Sequence, residues 1–188
     1  MNRPSLVIVL AEDQRQKRFI YRFLISRGFR SDQMRMIISP SGRGSAECWV
    51  RENFALQMQI CRTRHAKTGL IVLLDADAES VLQHHHELDD ALSAQNQPKV
   101  DPARDSVTRL IPKWSIETWV LYLTSEGSAR LVLTEDQPYK GTKPDDEWAA
   151  LIPVAAATLA AWTSNKESTP EDLPNSLQLG ITEIPRSL

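Results

Sequence analysis

The chain has 188 residues, of which 22 are Lys or Arg and 24 are Asp or Glu, so its formal net charge is -2. This length matches one domain with at most a small appendage. The near balance of charge excludes a general polycation that coats nucleic acid through bulk charge, but it leaves room for a local basic patch. A composition of 41% hydrophobic and 24% charged residues excludes a disordered chain or a fibre.

Strand-like and helix-like segments alternate along the chain. In order, the patterns predict a strand over 5–11, a helix over 14–27, a strand over 34–39, a helix over 46–62, a strand over 69–74, a helix over 79–92, a strand over 107–111 and a helix over 115–123. Residues 131–133 read as either a short strand or a helix end, and 135–147 as a polar loop. This alternation predicts a three-layer α/β domain with a mostly parallel central sheet.

The C-terminal part is predicted to be helical and to pack on the same domain. Its Ala-rich segment 148–162 reads as a helix, with Pro153 near a helix start rather than in an interior. The tail beyond Thr163 has three prolines and weak periodicity, which is typical of a partner-binding tail or a poorly ordered end. We therefore predict a main domain over 1–147 and a C-terminal helix and tail over 148–188.

Nothing in the sequence predicts export or membrane insertion. The apolar run at residues 6–11 is too short for a membrane span, and no small-residue cleavage site follows it. Cys48 and Cys61 form no CxxC pair and have no paired His motif, which is typical of reduced thiols. We expect a cytoplasmic protein without a membrane partner.

Carboxylates follow two of the predicted strands. Glu12, with Asp13 beside it, follows the first strand, and Asp75 and Asp77 follow the strand 69–74. Functional groups of open α/β sheets gather at the carboxyl ends of strands, and an Asp-x-Asp that continues the extended pitch projects both carboxylates to one side. Converging carboxylates repel each other unless a divalent cation neutralises them, and such oxygen ligands suit Mg²⁺ or Mn²⁺. The alternative is that these acids are solvated or cap a helix, as Asp77 could do.

These motifs resemble the Toprim domain, the metal-binding catalytic domain of topoisomerases, primases and OLD-type nucleases. The family pattern is a glutamate after the first strand and an Asp-x-Asp after a later one. Here VIVLAEDQRQKRFI supplies the glutamate, and GLIVLLDADAES supplies the two aspartates. The likeness extends to small stand-alone Toprim-like proteins related to OLD and RloB, in which a later segment reads Pro-x-(Trp/Phe)-x-x-Glu-x-Trp, as IPKWSIETW does. Two positions depart from the family pattern: Asp13 replaces a glycine, and Gln16 stands where a second acid often sits.

The resemblance implies a metal-dependent nuclease. Glu12, Asp75 and Asp77 would hold one or two Mg²⁺ or Mn²⁺ ions over a phosphodiester of DNA or RNA. Glu79 is a candidate outer ligand, although its place at a helix start favours interaction with the helix dipole instead. Glu117, from IPKWSIETW, is another candidate ligand, with a solvent-facing position as its alternative. A place in bacterial antiphage defence or in a mobile element comes from the resemblance alone.

Several basic side chains are candidates for contact with the nucleic acid. Lys140 and Lys143 follow the acidic motifs, as a lysine does in related nucleases, and both are candidate catalytic residues. The candidate backbone contacts are Lys17, Arg18 and Arg22 on the first helix and Arg43 in the loop SGRGS. A solvated side chain is the alternative for each of them.

Three successive histidines, His84 to His86, indicate a polar helix face rather than a transition-metal site. Successive helical residues point about 100° apart, so the three imidazoles cannot bind one ion from the same side. No other His or Cys cluster lies at a helpful spacing in the sequence.

Three other functions compete with a nuclease. A receiver-like signalling module would use Asp75 as phosphoacceptor, and a phosphatase of the HAD type would use the Asp-x-Asp as nucleophile and acid. A non-catalytic Toprim-like subunit would instead bind nucleic acid or a partner ATPase, because the chain has no GxxxxGK[ST] motif of its own. The choice between DNA and RNA and the oligomeric state are open at this level.

Overall fold

A computed structural model describes residues 3–40, 45–64, 67–164 and 169–188. Four strands form one sheet: β1 (Leu6–Ala11), β2 (Met34–Ile38), β3 (Thr68–Leu73) and β4 (Val107–Leu110). The α-helices of the described residues are α1 (Gln14–Ser26), α2 (Ala46–Thr63), α3 (Val81–Ala94), α4 (Ile116–Thr124), α5 (Gly127–Leu131), α6 (Asp145–Ser164) and α7 (Asn175–Ser187), and a single 3₁₀ turn, Ser31–Gln33, precedes β2. The strand order is β2-β1-β3-β4, and each neighbouring pair is parallel. The predicted α/β class and parallel sheet are confirmed, and the arrangement is consistent with a Toprim-like fold.

The sheet separates two apolar layers because the side chains of its strands alternate between its faces. Val7 and Val9 of β1 join the cluster that contains residues of α1, α4, α6 and α7. Ile8 and Leu10 point the other way and join residues of α2 and α3. The central strands β1 and β3 are therefore buried on both faces, which explains their almost unbroken aliphatic sequences.

Helix α6 begins earlier than the sequence predicts, and Pro153 consequently lies in its interior. The expectation that this proline marks a helix start was therefore wrong. Asp145, Asp146 and Glu147 make up the first turn of α6, where negative charge is favoured by the helix dipole. The sequence pattern places these acids in the preceding loop, because their polarity conceals the start of the helix.

The C-terminal tail includes a packed helix, α7, which weak periodicity did not predict. Leu177 and Ile184 of α7 are fully buried in the cluster on the α1 side of the sheet. Gly180 lies against Trp119: a Cβ atom at position 180 would be 2.5 Å from the indole Cη2. Close approach of α7 to the indole thus requires glycine at this position.

The topology places the two acidic motifs side by side. Ala11, the last residue of β1, is in register with Leu73, the last residue of β3. Because the strands are parallel, the residues after both of them emerge at the same edge of the sheet. Within the described part of the chain, no helix combines the length and the apolar character that crossing a membrane requires.

Candidate metal centre

Glu12 and Asp75 lie at the edge where β1 and β3 end. Asp75 is 6% exposed, and Glu12 is half-buried. The Asp75 Oδ1 accepts a hydrogen bond from the main-chain N–H of Ile116, at 3.1 Å. This bond attaches the first residue of α4, and with it the segment IPKWSIETW, to the carboxylate.

Gln16 of α1 is fully buried between the two carboxylates. Its Oε1 accepts from the main-chain N–H of Glu12 at 2.8 Å, and its Nε2 donates to Glu12 Oε2 at 3.4 Å. The Gln16 side chain also hydrogen-bonds the Asp75 carboxyl group.

Asp13 caps α1, and its Oδ1 accepts from the N–H groups of Arg15 and Gln16 at 2.8 Å each. Capping explains an aspartate where the family pattern has glycine.

The charged forms of the Glu12 and Asp75 carboxyl groups are both unfavourable. Burial, followed by repulsion from Asp75, Asp13 and Asp77, raises the pKa of Glu12 from 4.5 to about 8. Burial, followed by repulsion from Asp13, raises the pKa of Asp75 from 3.8 to about 7, against the opposing effects of the Gln16 hydrogen bond and the Lys140 charge. Several carboxylates thus share one site, and the Lys140 charge offsets their repulsion only in part.

Asp77 reaches this edge through a turn, so the extended pitch does not continue through the Asp-x-Asp motif. Its φ is 45°, and that of Trp114, which faces it across an isolated bridge, is 64°. The Asp77 N–H donates to the Trp114 carbonyl at 3.1 Å, and Lys113 Nζ donates to the Asp77 carbonyl at 3.1 Å. Left-handed conformations cost about 1–3 kcal/mol each in residues other than glycine, so tertiary contacts must maintain this pair. Asp77 is exposed and faces solvent beside the buried Asp75.

Lys140 and Lys143 have different surroundings. Lys140 is close enough for its charge to lower the pKa of Asp75, and it lines a cavity of about 540 Å³ together with Asp13 and Arg18. Lys143 Nζ is 3.2 Å from Glu147 Oε2 in an exposed pair at the start of α6. The structure therefore brings Lys140, and not Lys143, to the acidic residues.

Glu117 is buried in an ion pair. It is 2% exposed and contacts Arg15, whose Nη2 is also 2.6 Å from Asp145. The Arg15 guanidinium lies over the Trp148 ring, at 5.9 Å from its centroid. A solvent-facing Glu117 was therefore a wrong expectation, while a metal-ligating Glu117 stays a prediction.

Glu79 immediately precedes the N-cap residue of α3, so its carboxylate lies near the positive end of the helix dipole. Ser80 is the N-cap residue, and its hydroxyl accepts from the Gln83 N–H. The Glu79 Oε2 accepts from Gln83 Nε2 at 2.9 Å and lies 3.7 Å from His84 Nε2. Its part in the metal centre stays a prediction.

The candidate nucleic-acid contacts on α1 fall into two groups. Arg18 and Arg22 are one turn apart and line a second cavity, of about 240 Å³, beside α6. Lys17 is half-buried and lines neither this cavity nor the one beside Lys140. Arg43 lies outside the described residues.

A second cluster, which the sequence did not predict, lies next to the first. Glu47 of α2 and His84 and Glu87 of α3 have ligand atoms within 4.8 Å of one another. His84 is only 2% exposed, so the expectation of a polar helix face fails for it, although His86 is exposed. The spacing of His84 and Glu87, three residues apart on a helix, was a usable signal. Glu47 is far from His84 and Glu87 in sequence, so no spacing indicates that it joins them.

No protein-family model matches the chain, and no curated protein matches it. Among solved structures, the chain is similar to the C-terminal region of the OLD protein of Xanthomonas campestris pv. campestris. The two are 13% identical, the match covers 96% of this chain and 92% of that one, and the TM-score is 0.41. A TM-score this low does not establish a shared fold. The fold is therefore described from the order of its strands, and the site from the contacts of its residues.

Proposed function

We propose that the protein is a metal-dependent nuclease that hydrolyses phosphodiester bonds of DNA or RNA. One observation carries the proposal: Glu12 and Asp75 meet at the carboxyl edge of adjacent parallel strands, and repulsion and burial raise the pKa of both. Strongly perturbed carboxyls at such an edge are typical of functional sites. The sequence resemblance adds the reaction type and the place in bacterial antiphage defence or a mobile element.

The donor set fits Mg²⁺ or Mn²⁺. Glu12, Asp75 and Asp77 offer carboxylate oxygens, the ligands that these cations prefer, and their repulsion supplies a reason to bind a cation. These three residues would hold one or two ions. When bound, such ions polarise a phosphoryl oxygen, lower the pKa of a water molecule and stabilise a leaving oxygen.

The chain's own residues bind and orient the substrate. Lys140 and Arg18 line one cavity beside Asp13, so a phosphate there meets positive charge next to the acidic edge. Gln16 orients the Glu12 carboxyl through its Nε2 hydrogen bond. With a pKa of about 8, Glu12 holds a proton at neutral pH until a neighbouring positive charge favours its release. Arg22 extends the basic surface along α1.

The test is cleavage of plasmid DNA and of single-stranded RNA with Mg²⁺, with Mn²⁺ and with EDTA. Asp75→Asn preserves the acceptor for the Ile116 N–H but removes the charge, so we expect it to abolish cleavage. Asp90→Asn, on the exposed part of α3, is the matched control and should cleave like the wild type. Absence of cleavage by folded wild-type protein with either metal would contradict the proposal, as would equal cleavage by Asp75→Asn.

A specific observation also favours a second function, that of a non-catalytic subunit. Gln16 is fully buried and hydrogen-bonded at the position where the resemblance leads us to expect another acid. An amide there reduces the negative charge available to a second metal ion. In this alternative the protein binds nucleic acid or a separate ATPase subunit without cutting, and Asp75→Asn would leave that binding unchanged.

A further inference from the structure

Three potential ligand atoms converge on one point beside α3. His84 Nδ1 is 2.9 Å from Glu87 Oε2 and 3.4 Å from Glu47 Oε1. His84 is 2% exposed, and among the described residues no group makes a hydrogen bond with its Nδ1, because neither carboxylate has hydrogen-bond geometry to it. A buried ring nitrogen without a hydrogen bond is rare in proteins and indicates a missing partner.

The other ring nitrogen of His84 also faces oxygen atoms. Its Nε2 lies 3.3 Å from the carbonyl oxygen of Ala76 and 3.7 Å from Glu79 Oε2. Acceptor oxygens therefore face both ring nitrogens, so a metal ion that binds Nδ1 takes the place of a proton there, and the ring then keeps its N–H on Nε2, towards the Ala76 carbonyl. A histidine that donates its second N–H to a main-chain carbonyl is the usual arrangement of a metal ligand.

Arg51 neutralises the two carboxylates of this cluster. Its Nη2 is 2.8 Å from Glu47 Oε1, and its Nη1 is 2.7 Å from Glu87 Oε2. Arg51 contacts only the carboxylates in these pairs and not the imidazole. Its side chain is 27% exposed and therefore has a path to solvent.

We propose that Glu47, His84 and Glu87 form a binding site for a divalent transition-metal ion, separate from the acidic edge that carries the proposed nuclease function. One imidazole nitrogen and two carboxylates suit Zn²⁺ or Mn²⁺ better than Mg²⁺, which prefers oxygen ligands alone. Entry of the ion displaces Arg51 from the carboxylates, and three protein ligands leave a coordination position for water.

This site is linked to the acidic edge through the main chain. The carbonyl oxygen that lies 3.3 Å from His84 Nε2 belongs to Ala76, the residue between Asp75 and Asp77. A metal ion on Nδ1 fixes the imidazole, and the imidazole then holds the Asp-x-Asp turn in place. Occupancy of the transition-metal site should therefore support the geometry of the acidic edge without taking part in cleavage.

The test is calorimetric titration of the full chain with Zn²⁺ in excess Mg²⁺, together with Co²⁺ titration followed by visible absorption. We expect one Zn²⁺ per chain in both the wild type and Asp75→Asn. We expect His84→Gln to weaken Zn²⁺ binding by about 100-fold or more, since loss of an outer-shell partner alone costs 10–100-fold. His86→Gln, the same change at an exposed position of α3, should bind like the wild type.

Two further variants keep the proposal falsifiable if His84→Gln does not fold. Glu87→Gln retains the imidazole and should also weaken binding, whereas Arg51→Gln removes the competing cation and should strengthen it about tenfold. Failure of the wild type to bind Zn²⁺, or equal binding by wild type, His84→Gln and Glu87→Gln, would overturn the proposal. Zn²⁺ binding that persists in Asp75→Asn while cleavage is absent in every protein would instead contradict only the nuclease function.

Discussion

Gln16 holds Glu12 at both of its polar groups: it accepts from the main-chain N–H at 2.8 Å and donates to the carboxylate at 3.4 Å. The amide is fully buried and also bonds the Asp75 carboxyl group. A neutral donor at this position reduces the repulsion between the two acids. An acid at the same position would add to that repulsion and would increase the attraction for a cation.

Gln16→Glu should therefore make the protein depend on metal. We expect a lower melting temperature in EDTA than for the wild type, because a third buried carboxylate joins the site, and about tenfold tighter Mg²⁺ binding. Thermal unfolding with and without Mg²⁺, together with calorimetric titration, measures both effects. Gln14→Glu, which adds the same charge at an exposed position of α1, is the control. Equal effects of the two variants would show that only net charge matters.

The metal-free protein should lose stability as the pH rises. The pKa of Asp75 is about 7 when folded and 3.8 ordinarily, and that of Glu12 is about 8 against 4.5. Between these limits the folded state binds protons that the unfolded chain has released, so the free energy of unfolding falls from about pH 4 to pH 8. Asp75→Asn should remove part of this dependence and stabilise the metal-free protein at about pH 8 by on the order of 4 kcal/mol, since one pKa unit corresponds to about 1.4 kcal/mol.

Urea unfolding in EDTA, at several pH values across this range, measures the effect. Wild type and Asp75→Asn should differ least at the acidic end, where the Asp75 carboxyl is protonated when folded and only about half ionised when unfolded. Saturating Mg²⁺ should stabilise the wild type more at the alkaline end than at the acidic end, because protons compete with the cation. A wild-type stability that rises with pH relative to Asp75→Asn would contradict the raised pKa.

The two candidate lysines should differ in their effect on cleavage. Lys140→Ala removes the charge that acts on Asp75 and should reduce kcat/KM by about 100-fold, as expected for loss of an electrostatic contact to a reacting phosphate. Lys143→Ala breaks only an exposed pair with Glu147, which contributes about 0–1 kcal/mol, and should leave cleavage nearly unchanged. Comparison of kcat/KM for the two variants tests the assignment. A larger loss of kcat/KM in Lys143→Ala than in Lys140→Ala would show that Lys143 is the residue that contacts the phosphate.

The ion pair of Arg15 and Glu117 should be structural. Arg15→Met leaves the buried Glu117 carboxylate without this cation and should destabilise the protein by about 3–5 kcal/mol. The double variant Arg15→Met/Glu117→Leu should recover most of that loss, since an apolar pair replaces the ion pair. Urea unfolding of the single and double variants measures the coupling. Mg²⁺ binding should be unchanged in the double variant, and a large loss would show instead that Glu117 is a ligand.

The sequence alone was sufficient for the α/β class with its parallel sheet and for the position of the acidic edge. Strands β1 and β3 are buried on both faces, so their side chains form aliphatic runs that cannot be mistaken for exposed segments. Parallel pairing then puts Glu12 and Asp75 at one edge, because the carboxyl ends of parallel strands coincide. Both conclusions depend on local pattern and on general rules of sheet topology.

Only the tertiary structure decided how the remaining residues are used. The segment IPKWSIETW contacts the acidic edge through the main chain of Ile116 and Trp114, and the side chain of Glu117 pairs with Arg15 instead. Glu47 meets His84 because α2 and α3 pack side by side, although the two residues are far apart in sequence. Partners of this kind are chosen by packing between helices, which periodicity within each helix does not encode.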